Sequence, residues 1–545
     1  MAVQSLPAVI DIDEVLPGTR CVFIDESASS NSANGLLQKH DGIVLVPQPT
    51  QSPNDPLNWS LWRKIWHTAL VCFAVALTAA TSNVAGSAST GVNEEYGISY
   101  DVFNTGAGVL FLAIGYWTLL SSPAVHLYGR RILYLVGATW GLIGNIWFGR
   151  LKTSSDAIWT QLFVGASESV AEAVVQLSLL DIWFEHQNGT SMGFNLGWRW
   201  IGYLGAIMSG FNFVLFYFGL EETAFPRERY QRDRLENRAA ASSSPDGDEK
   251  MASGPPTVAD VNTGASDEEA AVTPRDVDEF SLNYTRPKSY WQRIALITPA
   301  PNLRGVGARQ YVGRLWHTLR IFTFPAVWFA GLQWGMQNIA LSFYLTIEED
   351  YWTDDPWDYG DVAVSNMNIP CLIGSIIGCF YGGYLSDLFV LWASRRNRGI
   401  QEAEYRLYLM FLCVIIFPTG MWLFGIGSAK GWSWPVPYVG LGFIGFGYGC
   451  AGDLSLTYLA DCYPDMVLEG MVGVAVINNT LAMIFTFVAS YWLDTGVQDT
   501  FIELGVLGFV ILMLSLPMII WGKRARRWTK QRYLNFLEIR DGMGH

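Results

Sequence analysis

Leu407–Ile426 reads LYLMFLCVIIFPTGMWLFGI, twenty residues without a charged side chain. As a helix rising 1.5 Å per residue, such a stretch crosses about 30 Å, the hydrocarbon thickness of a bilayer. Ten further stretches share its character. In the first half they are about Ile65–Ala88, Phe103–Val125, Ile132–Phe148, Ala157–Phe184 and Ile201–Leu220. In the second they are about Ile321–Thr346, Ser365–Asp387, Val436–Leu459, Val472–Tyr491 and Phe501–Trp521. Apolar residues come in blocks, not at the periods of half-buried strands or surface helices. Composition agrees: 50% of the chain is hydrophobic and 15% charged, against about 25% charged in soluble domains. The reading is an all-α integral membrane protein whose first partner is the lipid bilayer.

The same composition excludes several classes of function. The formal net charge is −14, with acids gathered in the N-terminal tail, the central loop and Glu348–Asp361, and no basic stripe argues for nucleic acid. Seven cysteines and six histidines form no zinc or disulfide spacing, so neither metal nor cofactor is expected. No Gly-x-x-x-x-Gly-Lys phosphate loop supports direct ATP coupling. No nucleophile, base and metal cluster supports an enzyme. The opening Met1–Ile65 is polar and proline-punctuated, without a signal-peptide core, so the first span is expected to direct insertion.

Lysine and arginine set the orientation, because cytosolic loops hold them in excess. Arg63–Lys64 precede the first span and place the N-terminus in the cytosol. Glu94 and Glu95 face out, Arg130 and Arg131 face in, and the acidic Glu348–Asp361 faces out. Arg395, Arg396 and Arg398 face in, as do Lys523, Arg524, Arg526 and Arg527 after the last span. Both termini are therefore cytosolic. Arg150 and Lys152 run against the bias. The count conflicts with this scheme. Between the basic clusters Arg130–Arg131 and Arg227–Arg238 only three spans fit, where two loops on one side need an even number. Met192–Leu220 has room for one helix and not for two. We expect a twelfth span to be missing near 191–196. The parts are then a tail (1–64), a first bundle (65–220), a central loop (221–320), a second bundle (321–521) and a C-terminal tail (522–545). Ala239–Asp278 lacks aromatics and is rich in Ser, Ala, Pro, Asp and Glu, a composition that does not fold. Sequons at Asn58, Asn188 and Asn283 fall on the cytosolic side and Asn478 inside a span, so none predicts a glycan.

Two halves joined by a long loop suggest an internal repeat. The loop after the second span reads Tyr128-Gly129-Arg130-Arg131. The corresponding region of the second half reads Gly383-Tyr384-Leu385-Ser386-Asp387, then Arg395-Arg396. Glycine permits a tight turn at the membrane face, and the carboxylate can pair with arginines or cap a helix. Gly129, Arg130, Arg131, Gly383, Asp387, Arg395 and Arg396 are thus candidates for a gating loop.

These residues resemble the major facilitator superfamily, whose corresponding loops bear a Gly-x-Leu-x-Asp-Arg-x-Gly-Arg-Arg signature. Closer still is the fungal drug:proton antiporter-like, 12-helix branch. The stretches Asn54-Asp55-Pro56-Leu57-Asn58-Trp59-Ser60, Glu168-Ser169-Val170-Ala171-Glu172-Ala173 and Leu196-Gly197-Trp198-Arg199-Trp200 match it. Glu221-Glu222-Thr223-Ala224-Phe225 and Gly452-Asp453-Leu454-Ser455-Leu456-Thr457-Tyr458 match as well. The resemblance implies two helical bundles related by a pseudo-two-fold axis, with eleven clear spans where twelve are expected. It also implies a monomer in the plasma membrane rather than the vacuole. The chain departs from the branch where His126 replaces the signature aspartate, Leu127 the following arginine, and Gln161 an arginine of span four. The fifth helix of the branch, with its Gly-Pro-Gly-rich antiporter motif, is absent between Ser191 and Leu196.

Ionisable groups at membrane depth are costly to bury and are the sharpest functional candidates. Glu168 and Glu172, spaced i, i+4, are expected on one face of the fourth span, where a cation or proton could sit. Local bonds to small polar groups such as Ser167, or to the missing helix, are the structural alternative. Asp453 follows the glycine-rich run Gly440–Gly452. Gln333, Gln337 and Asn338 on the seventh span, and Asn478 and Asn479 on the eleventh, line the central cavity of the resembling fold. Trp334 and Tyr344 could stack an aromatic or cationic substrate. The function expected is proton-coupled efflux of a small organic molecule such as a drug, toxin or fungal secondary metabolite. Uptake of an organic cation or nutrient is the alternative, and a non-transporting sensor or inactive truncated paralogue stands as the alternative of another class.

Overall fold

The computed structural model describes residues 16–21, 39–40, 43–44, 50, 52–182, 198–225, 287–300, 303, 305, 307–352 and 357–542. Each of the eleven predicted spans falls on helix. In the first half these are α1 (Leu61–Ser82) with its extension α2 (Val84–Tyr96), α3 (Tyr100–Tyr128), and α4 (Arg131–Phe148). The fourth span is α5 (Ser154–Val170), a π-helical turn at Ala171–Val175, and α6 (Gln176–Ile182); then comes α7 (Trp198–Gly219). Two short helices, α8 (Tyr290–Arg293) and α9 (Ala308–Thr318), precede the second half. There α10 (Pro325–Asp350) is followed by α11 (Asp361–Asn366) and α12 (Asn368–Phe380). A π-helical turn at Tyr381–Leu385 leads into α13 (Ser386–Arg396). After it come α14 (Met410–Ala429), α15 (Val436–Cys462), α16 (Val467–Leu493), α17 (Val497–Met513) and α18 (Ser515–Gly542).

Local chemistry sets the ends of these helices. Thr153 and Asp156 form a reciprocal capping box at the start of α5: Thr153 Oγ1 accepts from Asp156 N at 3.2 Å and Asp156 Oδ2 from Thr153 N at 3.0 Å, satisfying two otherwise orphaned donors. Glu222 serves α4 from outside the helix. Its carboxylate accepts from the backbone N–H of Arg130 and of Arg131, each at 3.1 Å, and a negative charge at a helix N-terminus is stabilising. Gly129, at φ +94°, makes the turn that brings those amides round.

The two halves repeat their packing. In the first, α3 packs on α5, α4 on α5, and α4 on α7. In the second, α12 packs on α15, α14 on α15, and α14 on α17. Small residues allow these crossings. A Cβ added at Gly374 would lie 1.9 Å from the Gly442 carbonyl oxygen, and one at Gly445 1.9 Å from that of Cys371, so the α12 and α15 backbones touch. The match places α7 in the position α17 holds, that of a sixth helix. The second half also has a fifth helix, α16, which packs on its own α10 and on α3 of the opposite half. Its first turns, Leu468, Met471 and Val472, share a core with Val174 and Val175 of the first half. Val474 and Ile477 belong to the core of the second. The symmetric counterpart would pack on α1 and α12. Among the described residues the principal helical neighbours of α1 are α5 and α7, and that of α12 is α15. Ile369, Ile373, Ile377, Phe380 and Tyr384 are exposed. Of the most apolar 18 residues of Asn368–Arg396, 28% are buried, against 56% for Tyr100–Tyr128.

Three predicted boundaries differ. Gly383 and Asp387 lie inside helix rather than in a loop, because the span continues through its π-helical turn to Arg396. The boundary at 521–522 is crossed by α18, whose Tyr533 and Phe536 are buried. The segment 308–318 of the central loop is helical. Residues 183–197, Arg227–Arg238, Ala239–Asp278, Asn188 and Asn283 lie outside the described residues.

Candidate functional site

The fourth span positions the two glutamates, and its π-helical turn changes their relation. Glu172 sits within the wide turn, so the i, i+4 spacing no longer aligns it squarely with Glu168. Such turns insert one extra residue and gather at functional sites. Glu168 faces α1, accepting a hydrogen bond from the Ser82 hydroxyl. Glu172 faces the other half, its carboxylate against the side-chain amides of Asn479 and Asn478 on α16. The Tyr448 phenol lies within electrostatic reach of both carboxylates. Tyr448 is packed on Trp334 with ring centroids 4.9 Å apart. Two carboxylates from one half thus meet two amides and an aromatic pair from the other.

The amides are incompletely used by the protein. Asn479 Nδ2 donates to the Ala475 carbonyl at 2.9 Å and to Asn478 Oδ1 at 2.6 Å. Asn478 Nδ2 and Asn479 Oδ1, both buried, bond no described protein group, and neither does either end of the Gln337 amide. Buried polar groups are normally paired, and these amides are the least satisfied part of the cluster. Asn338 lies one turn beyond Trp334 on α10 and is buried. Gln333 points elsewhere: its Nε2 donates to the Ile511 carbonyl of α17 at 2.7 Å, inside the second bundle. Tyr344 is likewise engaged, donating to Asn368 Oδ1 at 3.0 Å. Asp453 is separate from the glutamates. It hydrogen-bonds the Cys379 thiol across the α12–α15 crossing, and a Cβ at Gly382 would stand 3.0 Å from its own.

The gating candidates resolve into two related ion-pair sets at the end of the bundles that holds both tails. In the first half Arg130 Nε lies 2.6 Å from Asp181 Oδ2. Arg131, 1% exposed, donates to the carbonyls of Ile294 and Tyr217. In the second half Arg406 Nε lies 2.6 Å from Asp461 Oδ2, and its Nη1 lies 2.7 Å from Asp387 Oδ1 and 2.8 Å from Ser386 Oγ. Arg130 with Asp181 and Arg406 with Asp461 are equivalent: each arginine begins a third helix and each aspartate ends a fourth. Arg396 lies over the Trp392 ring at 4.2 Å. His126, in place of the signature aspartate, pairs instead with Glu469 of α16, Nε2 to Oε1 3.3 Å, across the seam between the halves. The sequence reading missed Arg406, Glu222, Glu469 and Tyr448. Arg406 was detectable as a lone base directly before an apolar run.

Two packed bundles of apolar, span-length helices, with carboxylates and amides between them and ion pairs at one end, are the architecture of a membrane transporter. The Major Facilitator Superfamily family model matches residues 189–486, and the chain belongs to that superfamily. An uncharacterised MFS-type transporter of Schizosaccharomyces pombe is 48% identical over 97% of this chain and 95% of its own. Protein HOL1 of Saccharomyces cerevisiae is 45% identical over 98% of this chain and 99% of its own. Among solved structures, the proton:xylose symporter XylE, bound to 6-bromo-6-deoxy-D-glucose, superposes with a TM-score of 0.51 at 12% identity, covering 84% of this chain and 96% of that one. That likeness bears on the fold alone.

Proposed function

We propose that this chain carries a small organic cation across the membrane by proton-coupled secondary transport. One observation supports it above others: the Glu172 carboxylate of the first half faces the Asn478 and Asn479 amides of the second, and Tyr448, packed on Trp334, feels the charge of Glu172 and Glu168. Carboxylates attract a cation, aromatic faces add cation–π attraction, and two close carboxylates favour retention of a proton by one of them. Glu172 is read as the cation and proton site, Glu168 as its partner, and Asn338, Asn478, Asn479 and Trp334 as the lining. Asp453 is read as a helix-packing residue apart from that pair, and Gln333 as a packing residue of the second bundle. Resemblance to the drug:proton antiporter branch favours export, from a monomer in the plasma membrane with both termini cytosolic. Purified protein in liposomes, given a pH gradient and radiolabelled tetramethylammonium, an aromatic cation or an uncharged analogue, tests the reading. Gradient-dependent flux of a cation, lost in Glu172→Gln, is expected. Equal flux of the uncharged analogue would remove the charge argument.

We further propose that a fifth helix of the first half is missing from this polypeptide between Ile182 and Trp198. The packing symmetry supports this, since among the described residues α1 and α12 share no helical neighbour as α10 and α3 share α16. Alignment length supports it as well: 585 aligned positions with Protein HOL1 exceed the 545 residues of this chain by 40. Sequencing transcripts across codons 183–197 decides. Recovery of roughly 25–30 apolar codons restores a twelve-helix transporter. A short transcript whose product shows no flux leaves a sensor or inactive paralogue.

A further inference from the structure

The tail before the first span holds to both bundles. Thr19–Cys21 (β1) pairs antiparallel with Ile400–Glu402 (β4), Thr19 opposite Glu402, Arg20 opposite Gln401 and Cys21 opposite Ile400. (The two-residue strands Lys39–His40 and Ile43–Val44, β2 and β3, form a hairpin farther along the tail.) Thr19 Oγ1 donates to Glu402 Oε2 at 2.8 Å. Arg526 of α18, 1% exposed, donates from Nη1 to the Pro17 carbonyl at 2.5 Å and to Thr19 Oγ1 at 3.1 Å. Its remaining nitrogens hold Glu404 at 2.9 and 2.6 Å and Glu402 at 2.9 Å. Gly18 adopts φ +78°, and a Cβ there would stand 2.7 Å from the Asp461 carbonyl oxygen and 3.0 Å from Cys462 Cα. Conformation and space both demand glycine. Burial raises the Glu402 pKa, but hydrogen bonds from Lys523, Arg526 and Thr19 outweigh it and hold the carboxyl below its ordinary range.

Each element that reads Pro17, Gly18 and Thr19 belongs to the second bundle: the segment 400–404, the end of α15, and α18. Nearer the first span the tail is knotted to the first bundle instead. Asp55, fully buried, accepts from Thr50 N at 2.9 Å, Thr50 Oγ1 at 2.8 Å and Leu57 N at 3.1 Å. Asn58 donates to the carbonyls of Thr50 and Ser52, Lys64 of α1 donates to the Leu57 carbonyl at 2.9 Å, and the turn Pro56–Asn58 rests on α6.

We propose that residues 16–21 are a built-in peptide ligand of the second bundle, bound by strand addition. The bundles are then joined twice on the tail side, by the central loop and by residues 22–49. Those 28 residues can extend to ~95 Å, so the link acts by docking and not by tension. The contacts are independent of the transport site, and the test needs no substrate.

In the full chain, Ile400→Cys places a thiol opposite the native Cys21 in the strand register. Mild oxidation is expected to join them, detected as a change in mobility after cleavage of the central loop. Gln401→Cys, one register position away and on the opposite face, is expected to remain unjoined. In a second experiment, a fluorescent peptide of residues 14–24 is titrated into protein lacking residues 1–24. Saturable binding is expected, weakened tenfold or more in the peptide carrying Gly18→Val. Cross-linking no greater for Ile400→Cys than for Gln401→Cys overturns the proposal. So does equal binding by the two peptides, or equal absence of binding to shortened protein that elutes as a monodisperse species. The cross-linking result stands even if the shortened protein fails to fold.

Discussion

Replacing Arg406 by glutamine is expected to cost the second bundle about 3–5 kcal/mol, the range measured when one partner of a buried ion pair is removed. Arg406 pairs with two carboxylates, Asp461 at 2.6 Å and Asp387 at 2.7 Å. The side chains of Arg406 and Asp461 are 7% and 8% exposed, that of Asp387 20%. Glutamine keeps one donor group and no charge, so Asp461 stays buried with its repulsion from Asp387 uncompensated. At about 1.4 kcal/mol per decade the loss is a factor of roughly 10² to 4 × 10³ in the folding equilibrium. At about 2–4 °C per kcal/mol for a unit of 150–250 residues, the melting midpoint falls by roughly 6–20 °C. The bundle carries its own reporters: Cys371, Cys413, Cys450 and Cys462 are buried there, and a thiol-reactive dye detects their exposure on heating. Asp461→Asn should cost more than Asp387→Asn, because the more exposed carboxylate is partly solvated. Combining Arg406→Gln with Asp461→Asn should recover part of the loss. A midpoint within about 2 °C of the parent for Arg406→Gln, against the shift expected from the pair's burial, would refute the assignment.

Gly445→Val is expected to abolish recovery of monodisperse protein, since its Cβ would stand 1.9 Å from the Cys371 carbonyl oxygen. Gly360→Ala, with nothing within 4 Å, should behave as the parent in the same size-exclusion run. Glu222→Gln removes a charge from the start of α4 and should cost about 1 kcal/mol, read as a drop of roughly 2–4 °C in midpoint. The contribution of Glu402 to folding has a definite pH sense. Hydrogen bonds from Lys523, Arg526 and Thr19 hold its folded pKa below the ordinary 4.5, so the contribution is complete above that value and disappears as pH falls through the lowered one. The melting midpoint should therefore be level from pH 8 to 5 with respect to this group and decline in stronger acid; a decline already complete at pH 5 would contradict the bonding at Glu402.

The spans were legible because lipid demands uninterrupted apolar blocks, and that demand acts residue by residue. Features set by long-range contact were not. Asp387 was expected to pair with arginines or cap a helix, and the arginine it meets, Arg406, stands 19 residues along the chain. The i, i+4 rule for Glu168 and Glu172 assumes a regular helix, and the π-helical turn at Ala171–Val175 breaks it. The apolar pattern ends at Trp521, but α18 runs on to Gly542 because Tyr533 and Phe536 bury themselves against the second bundle. A three-residue strand such as Thr19–Cys21 is too short to show a period. Only the glycine at 18 hinted at a special backbone.

The glutamate-and-amide cluster is divided between two bodies, with Glu168 and Glu172 on one and Asn478, Asn479, Trp334 and Tyr448 on the other. A solute seated there would act as mortar: parting the halves at the site strips it of either its counter-charge or its amide and ring contacts. Grip and closure then become a single quantity. A compound that fills the cluster but is too bulky for the halves to meet around it should jam the machine open and lose affinity in proportion to the gap.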